Sequence, residues 1–307
     1  MMKFKQIPLA LLCTGLLNSV WAAEHLSDHE EFCLQQPATP CTELLQQALA
    51  QTPLHTLQWF KLQSYRLDYL YVKHQFRQLY DESNQLLKIA DAPVAFRTQL
   101  YFYQAKTLIA RGDDAQAAYY TELASRQLEA IYQAFADPMR VLELANLQAV
   151  AGQYDKAWQL LLQAEQRFAK SRDPQFVFEL NSIKALVRHA FQQLDDAAYY
   201  RKQALDAILP TGRHHDIIVA HGNLARTYQL LGRLGLAVDY YEKSLSYMRP
   251  GIDDLQQSIH RLRLSELYLA LQAPAKARGY FEQVDVAILS DHHKALYREL
   301  SAAIASR

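Results

Sequence analysis

The sequence predicts an all-α fold, a solenoid of antiparallel helix pairs. Three observations predict it: a helix-favouring composition, a register of small residues that recurs every 40 residues, and helix breakers spaced between the recurring blocks. Of 307 residues, 50% are hydrophobic and 21% charged, the balance of a folded soluble chain. Gly (9) and Pro (10) are scarce, whereas Leu, Ala, Gln and Tyr abound. Ala, Leu and Gln lose little side-chain freedom on entering a helix. The formal net charge is zero, which gives no basic footprint for nucleic acid.

The register is read from Ala117, Ala157, Ala197, Ala237 and Ala277, each 40 residues from the last. Five residues upstream stand Gly112, Gly152, Gln192, Gly232 and Gln272, and twelve upstream stand Ala105, Ala145, Ala185, Ala225 and Ser265. Seven downstream stand Ala124, Ala164, Ala204, Ser244 and Val284. Small residues at two points of each unit let two helices pack closely. A glycine between them suits a left-handed helix C-cap, where a β-carbon would clash. Tyr120, Leu160, Tyr200, Tyr240 and Tyr280 share a column of large residues that fill the space between units. Pro53, Pro93, Pro138, Pro174, Pro210 and Pro250 fall between units, where each can start a first helix but not continue the preceding one.

In chain order, residues 1–22 read as a secretory signal peptide: Lys3 and Lys5, an apolar run from Ile7 to Val20, and Ala22 at the cleavage point. Its removal leaves 30 basic and 32 acidic residues, a charge of −2. Leu11 and Leu12 before Cys13 do not suit lipidation, and no later stretch is apolar enough to span a membrane. The expected location is the periplasm or the exterior. Residues 23–53 form an N-terminal segment with a short helix over 42–52. Cys33 and Cys41, across Pro37 and Pro40, read as a disulfide in an exported chain; two free thiols or a redox pair are the alternatives. Residues 54–307 form one repeat domain. Its first pair is divergent, with an aromatic-rich helix from Leu57 to Val72 and a second from Phe76 to Ile89. A last helix over Lys294 to Ile304 carries Arg298, Glu299 and Ser301, the polar cap a solenoid needs.

The block from His221 to Ala237, followed by Tyr240, Tyr241 and Ser244, resembles the tetratricopeptide repeat family. It has the Leu224–Ala225 pair, Tyr228 three residues on, Gly232 between the helices and Ala237 opening the second. Val141 to Ala164 is similar through Leu144, Ala145, Gly152, Tyr154, Ala157 and Ala164; Ile259 to Val284 is similar through Leu264, Tyr268, Ala277 and Phe281. The units at Ala117 and Ala197 are more degenerate, with Leu108 and Arg188 at the Tyr position, and the period exceeds the family's usual 34. The resemblance implies a right-handed solenoid whose first helices face a concave groove that binds a protein or peptide. Carried over unit by unit, it implies groove residues Lys106, Asn146, His189, Asn223, Arg226, Gln229, Arg263 and Glu266. Some family members hold a C-terminal carboxylate with a Lys/Asn/Arg clamp. The clamp lysine is absent here, since its place holds Phe102, Leu142, Ser182, Gly222 and Leu262.

No catalytic motif survives scrutiny: there is no Gly-x-Ser-x-Gly, no phosphate-cradling glycine loop and no His-Glu-x-x-His. His25 and His29 have a spacing that could hold a metal on a helix, but read as a polar tail. His214–His215 and His292–His293 read as polar residues of inter-helix loops near helix starts. Asp195–Asp196 and Asp253–Asp254 suit helix beginnings. One member of each tyrosine pair (Tyr119–Tyr120, Tyr199–Tyr200, Tyr240–Tyr241) is expected in the inter-unit core, the others being free to line a binding surface. The expectation is therefore a non-enzymatic scaffold with no cofactor and no metal, binding a protein or peptide; a groove-based sensor of a small ligand is the alternative.

Overall fold

The computed structural model describes residues 29–34 and 39–305. The leader expected at 1–22, and His25 of the His25–His29 pair, lie outside them. Fifteen α-helices follow one another among the described residues, with no strand. They are α1 (His29–Leu34), α2 (Cys41–Gln51), α3 (Leu57–Val72), α4 (Phe76–Leu86), α5 (Val94–Arg111), α6 (Asp114–Phe135), α7 (Pro138–Val150) and α8 (Tyr154–Arg167). Then come α9 (Pro174–Ala190), α10 (Leu194–Ile208), α11 (His214–Leu230), α12 (Leu234–Tyr247), α13 (Asp254–Ala270), α14 (Pro274–Phe281) and α15 (Asp291–Ala305). The odd helices from α3 to α13 open the pairs and the even ones close them.

Each pair turns in the same way. The residue after the first helix has φ between 71° and 77° at Gly112, Gly152 and Gly232, and close to 60° at Gln192 (61°) and Gln272 (57°). The two hydrogen bonds of a Schellman cap accompany it every time: Gly112 N–H donates to Ile109 O (3.1 Å) and Asp113 N–H to Leu108 O (3.1 Å), and Gln192 N–H donates to His189 O (2.9 Å) and Gln193 N–H to Arg188 O (2.9 Å). The divergent first pair makes this turn at His74, φ 56°, with the same two bonds from His74 and Gln75. It is two residues out of the 40-residue register, which is why no column reached it.

The small columns are the helix–helix contacts. Ala105, Ala145, Ala185, Ala225 and Ser265 are wholly buried, as are Ala157, Ala197, Ala237 and Ala277. Between units the large column is half-buried: Leu160, Tyr240 and Tyr280 pack on the clusters of neighbouring pairs. Lys184 is also enclosed, at 2% exposure. Its Nζ lies 2.6 Å from Glu165 and over the rings of Tyr200 and Trp158, so a single cation joins α8, α9 and α10.

Three expectations are adjusted. Only Pro138 and Pro174 open first helices from within; Pro93 sits at the N-cap, while Pro53, Pro210 and Pro250 lie in connections, where Thr56, Arg213 and Asp253 take the cap position. The histidine pairs are not in loops: His214–His215 begin α11, and His292–His293 follow Asp291 in the first turn of α15. Both members of the Tyr240–Tyr241 pair pack inward, Tyr241 at 3% exposure, whereas Tyr119 and Tyr199 are 60% exposed.

Two features place the inner surface. Consecutive first helices α3, α5, α7 and α9 touch one another directly, while consecutive second helices make no comparable contact among the described residues. The first helices are therefore on the inside of the curve. The curve also returns on itself. The Lys73 ammonium, at the end of α3, donates to the carbonyl of Ile252, 179 residues on and between α12 and α13. A cavity of about 350 Å³ at this seam is walled by His29, Tyr69 and Lys73 on one side and His215, Arg249 and Ile252 on the other. The Cys33–Cys41 disulfide, Cα–Cα 5.2 Å, lines the same cavity and ties α1 to α2.

Candidate functional site

The inner surface divides into three stretches along the chain. The first lies between α3, α5 and α7. It is a cavity of about 360 Å³ walled by Phe60, Tyr65, Phe96, Phe102 and Tyr103. Its polar floor is Asp68, which accepts from the Tyr103 hydroxyl and from Gln99 Nε2 (3.0 Å). Burial, then the Asp68 carboxylate, push the Tyr103 phenol well up. Arg140 and Glu143, paired at 2.5 Å, stand at the rim. Lys106 is in this stretch. Its Nζ lies 4.3 Å from the Phe102 ring and 4.8 Å from that of Tyr71, and it donates to the Tyr71 hydroxyl (3.2 Å).

The second stretch is acidic. Glu179 of α9 is close enough to Glu143 and Asp216 to feel their charge. Arg140 answers Glu143 and Arg213 answers Asp216 (2.7 Å), but among the described residues the one side chain bonded to Glu179 is the neutral amide of Gln175 (3.3 Å). Withdrawal from water inside the curve, then the neighbouring Asp216 carboxylate, push the Glu179 carboxyl up to about 7, against the pull of Lys106 and Arg213. Glu179 is partly accessible to solvent, yet the curved wall surrounds it with protein beyond its immediate contacts.

The third stretch gathers six of the eight sequence candidates. Arg226 of α11 donates to Gln229 Oε1 (2.8 Å), and Arg263 of α13 pairs with Glu266 (2.9 Å). Asn223, one turn before Arg226, is exposed. His189 of α9 is held below the ordinary imidazole range, by burial first and then by the cations Arg201 and Arg226. Its Nδ1 is enclosed and has no hydrogen-bond partner. Lys106 belongs to the first stretch. Asn146, with an enclosed and unpartnered Oδ1, is tied to neither group.

Sequence reasoning missed Glu143, Glu179, Arg201 and the aromatic cavity. Glu143 was legible, because it occupies the 40-residue column of Asn223 and Arg263. Glu179 and the aromatic cavity depend on how first helices splay, and Arg201 reaches the inner surface from a second helix. Its Nη1 donates to the Asn223 carbonyl (2.8 Å) and to the Thr227 hydroxyl. Among the described residues, no three His, Cys, Asp or Glu stand together where a metal could be held, and no helix is long and apolar enough to cross a membrane.

Comparison with known proteins bears on the fold. A family model described as tetratricopeptide repeat matches residues 176–250, the span from α9 to just beyond α12. Residues 176–250 are therefore similar to the tetratricopeptide repeat family. No curated protein matches it. Among solved structures, this repeat protein is similar to a Rap protein complexed with competence and sporulation factor (14% identity, 90% of this chain and 83% of that one, TM-score 0.57). It is also similar to BtubC from P. vanneervenii (17%, 76% and 92%, TM-score 0.50) and to NprR in complex with its cognate peptide NprX (15%, 89% and 78%, TM-score 0.51). At these identities the likeness is one of fold, and it extends across the solenoid well beyond the family-model match.

Proposed function

We propose that this protein is an exported binding scaffold, not an enzyme, and that it holds a protein or peptide segment along the inner surface of its solenoid. One observation carries the reading: the first helices present there an aromatic-walled cavity of about 360 Å³ followed by the exposed amide of Asn223 and the half-buried Arg226 and Arg263. An apolar anchor site beside a few placed polar groups is the usual make-up of a recognition surface. The Rap and NprR structures were obtained with a factor or peptide bound, which fits the reading. The leader sequence and the Cys33–Cys41 bridge support export.

The test is capture of a partner by the mature protein from an envelope extract, with photo-crosslinkers at Tyr65 and Asn223 to locate the contact. A partner crosslinked at these positions, and lost with Asn223→Ala/Arg226→Ala, supports the reading. A partner that crosslinks only on the convex side, or survives the double substitution, sinks it. The seam between Lys73 and Ile252 favours a second reading, a sensor whose solenoid opens there when a small ligand or peptide binds. Thermal stabilisation by such a ligand, with no protein captured, selects the second.

A further inference from the structure

We propose that Arg201, Arg226 and His189 form a subsite for a compact oxyanion, a carboxylate or a phosphate. The proposal rests on the inner surface being the binding face and names what its third stretch takes. Arg201 of α10 reaches across to α11 at Asn223 and Thr227, which flank Arg226, and Arg263 of α13 and the His189 imidazole are close enough to feel the charges of this group. Only Arg263 meets a carboxylate, Glu266. The partners of Arg226 and Arg201 are neutral: the Gln229 amide for one, the Asn223 carbonyl and Thr227 hydroxyl for the other. Arg140, also on the inner surface, has an acid, Glu143.

A covered cation without a counter-charge is costly, and nothing in the packing requires this one. Thr227 Oγ1 already donates to the Asn223 carbonyl (3.0 Å), so Arg201 is not needed to satisfy α11. Burial alone brings the Arg201 guanidinium down to about 10, the sign of a charge held where water solvates it poorly. The sheltered, unpartnered Nδ1 of His189 adds a third group that becomes a donor once protonated. Two forked guanidiniums and an imidazolium match the oxygens of a carboxylate or phosphate, and an incoming negative charge offsets the Arg201 and Arg226 repulsion that, after burial, holds the His189 imidazole below its ordinary range.

The experiment follows the His189 ring signals by NMR at constant ionic strength. The probes are inorganic phosphate, an acetylated and amidated Ala-Ala-Glu-Ala-Ala peptide, and its Gln counterpart. The expected result is a rise in the His189 pKa with phosphate or the Glu peptide and none with the Gln peptide. Affinity is expected to fall by about tenfold or more in Arg226→Gln and Arg201→Met. A response to phosphate identifies a free oxyanion; a response to the Glu peptide alone identifies a carboxylate borne by a chain. No response to either, or equal responses in both variants, overturns the proposal. The melting temperature of Arg201→Met is a second check: it holds or rises if Arg201 serves a ligand, and a marked drop assigns it a structural role and overturns its part. A captured partner with a silent His189 removes the subsite and leaves the scaffold standing. A responding His189 with no partner does the reverse.

Discussion

Replacing Gln192 by glycine is expected to stabilise the protein, although it removes a whole side chain. Gln192 and Gln272 hold the left-handed position that glycine fills in three sister units, at φ 61° and 57°. A side-chain-bearing residue in that conformation costs about 1–2 kcal/mol. Glycine escapes this cost but loses about 0.5–1 kcal/mol more backbone entropy on folding. The difference favours glycine by roughly 0.5–1 kcal/mol per site. Nothing on the other side of the ledger is visible: both glutamine side chains are exposed, and among the described residues neither side chain makes a hydrogen bond. The sites are two units apart, so the double variant is expected to gain about 1–2 kcal/mol. The reverse change, Gly152→Ala, is expected to lose about 1 kcal/mol by backbone strain alone, because a β-carbon there meets no atom within 4 Å. Guanidinium titration with circular dichroism reads all four variants, provided the m-value is unchanged. A loss of stability in both Gln→Gly variants would refute the reasoning, since the cap would then depend on the glutamine side chains.

Three further outcomes follow. His221 lies against Tyr240 and Tyr247, and His260 against Tyr241 and Gly222; burial brings them down to about 4 and about 3. Both stay neutral in the fold while the unfolded chain takes up protons below about 6.5. Stability is therefore expected to fall as pH drops from about 6.5 towards 4, by about 1.4 kcal/mol per pH unit for each histidine, and denaturant titrations of His260→Gln should show a shallower slope. Glu179 has the opposite sign: its folded pKa of about 7 is raised, so its charge opposes folding above the unfolded value and increasingly so towards neutral pH. Glu179→Gln is expected to add about 1–2 kcal/mol at pH 8, after allowance for solvent screening, and little at pH 4; equal effects at both would contradict the placement. Cys33→Ser/Cys41→Ser is expected to cost about 2.5 kcal/mol on the loop-entropy account, seen as faster hydrogen exchange in residues 41–51. Two thiols alkylatable without reductant in the mature protein would remove the premise.

Much of the fold was legible because the repeat is a local device. Ala105 to Ser265, and Ala157 to Ala277, are buried because two helices of one pair must approach closely, and that requirement acts within some 20 residues of chain. The turn at Gln192 and Gln272 shows what the column encodes: a backbone conformation, which glycine satisfies most cheaply but does not own. The columns failed where a unit slips register, as at His74, and at connections whose proline sits outside the helix it precedes.

The candidate site was less legible, for a different reason. Six of the eight residues that the family resemblance implied lie in one stretch of the structure, since a position repeated on stacked helices becomes a row. Lys106 and Asn146 share the column of Arg226 but not its neighbours. Arg201, Glu179 and the Lys73–Ile252 seam are invisible to any periodicity, because each joins elements whose relation depends on the angle between units. The sequence alone determined the pairing of helices, the turn between them and the residues sealed in each pair, all consequences of short-range sterics and burial. The curvature that brings residue 73 to residue 252, and the electrostatics enclosed within it, were decided only by the tertiary structure, where small tilts between packed units add up along the chain.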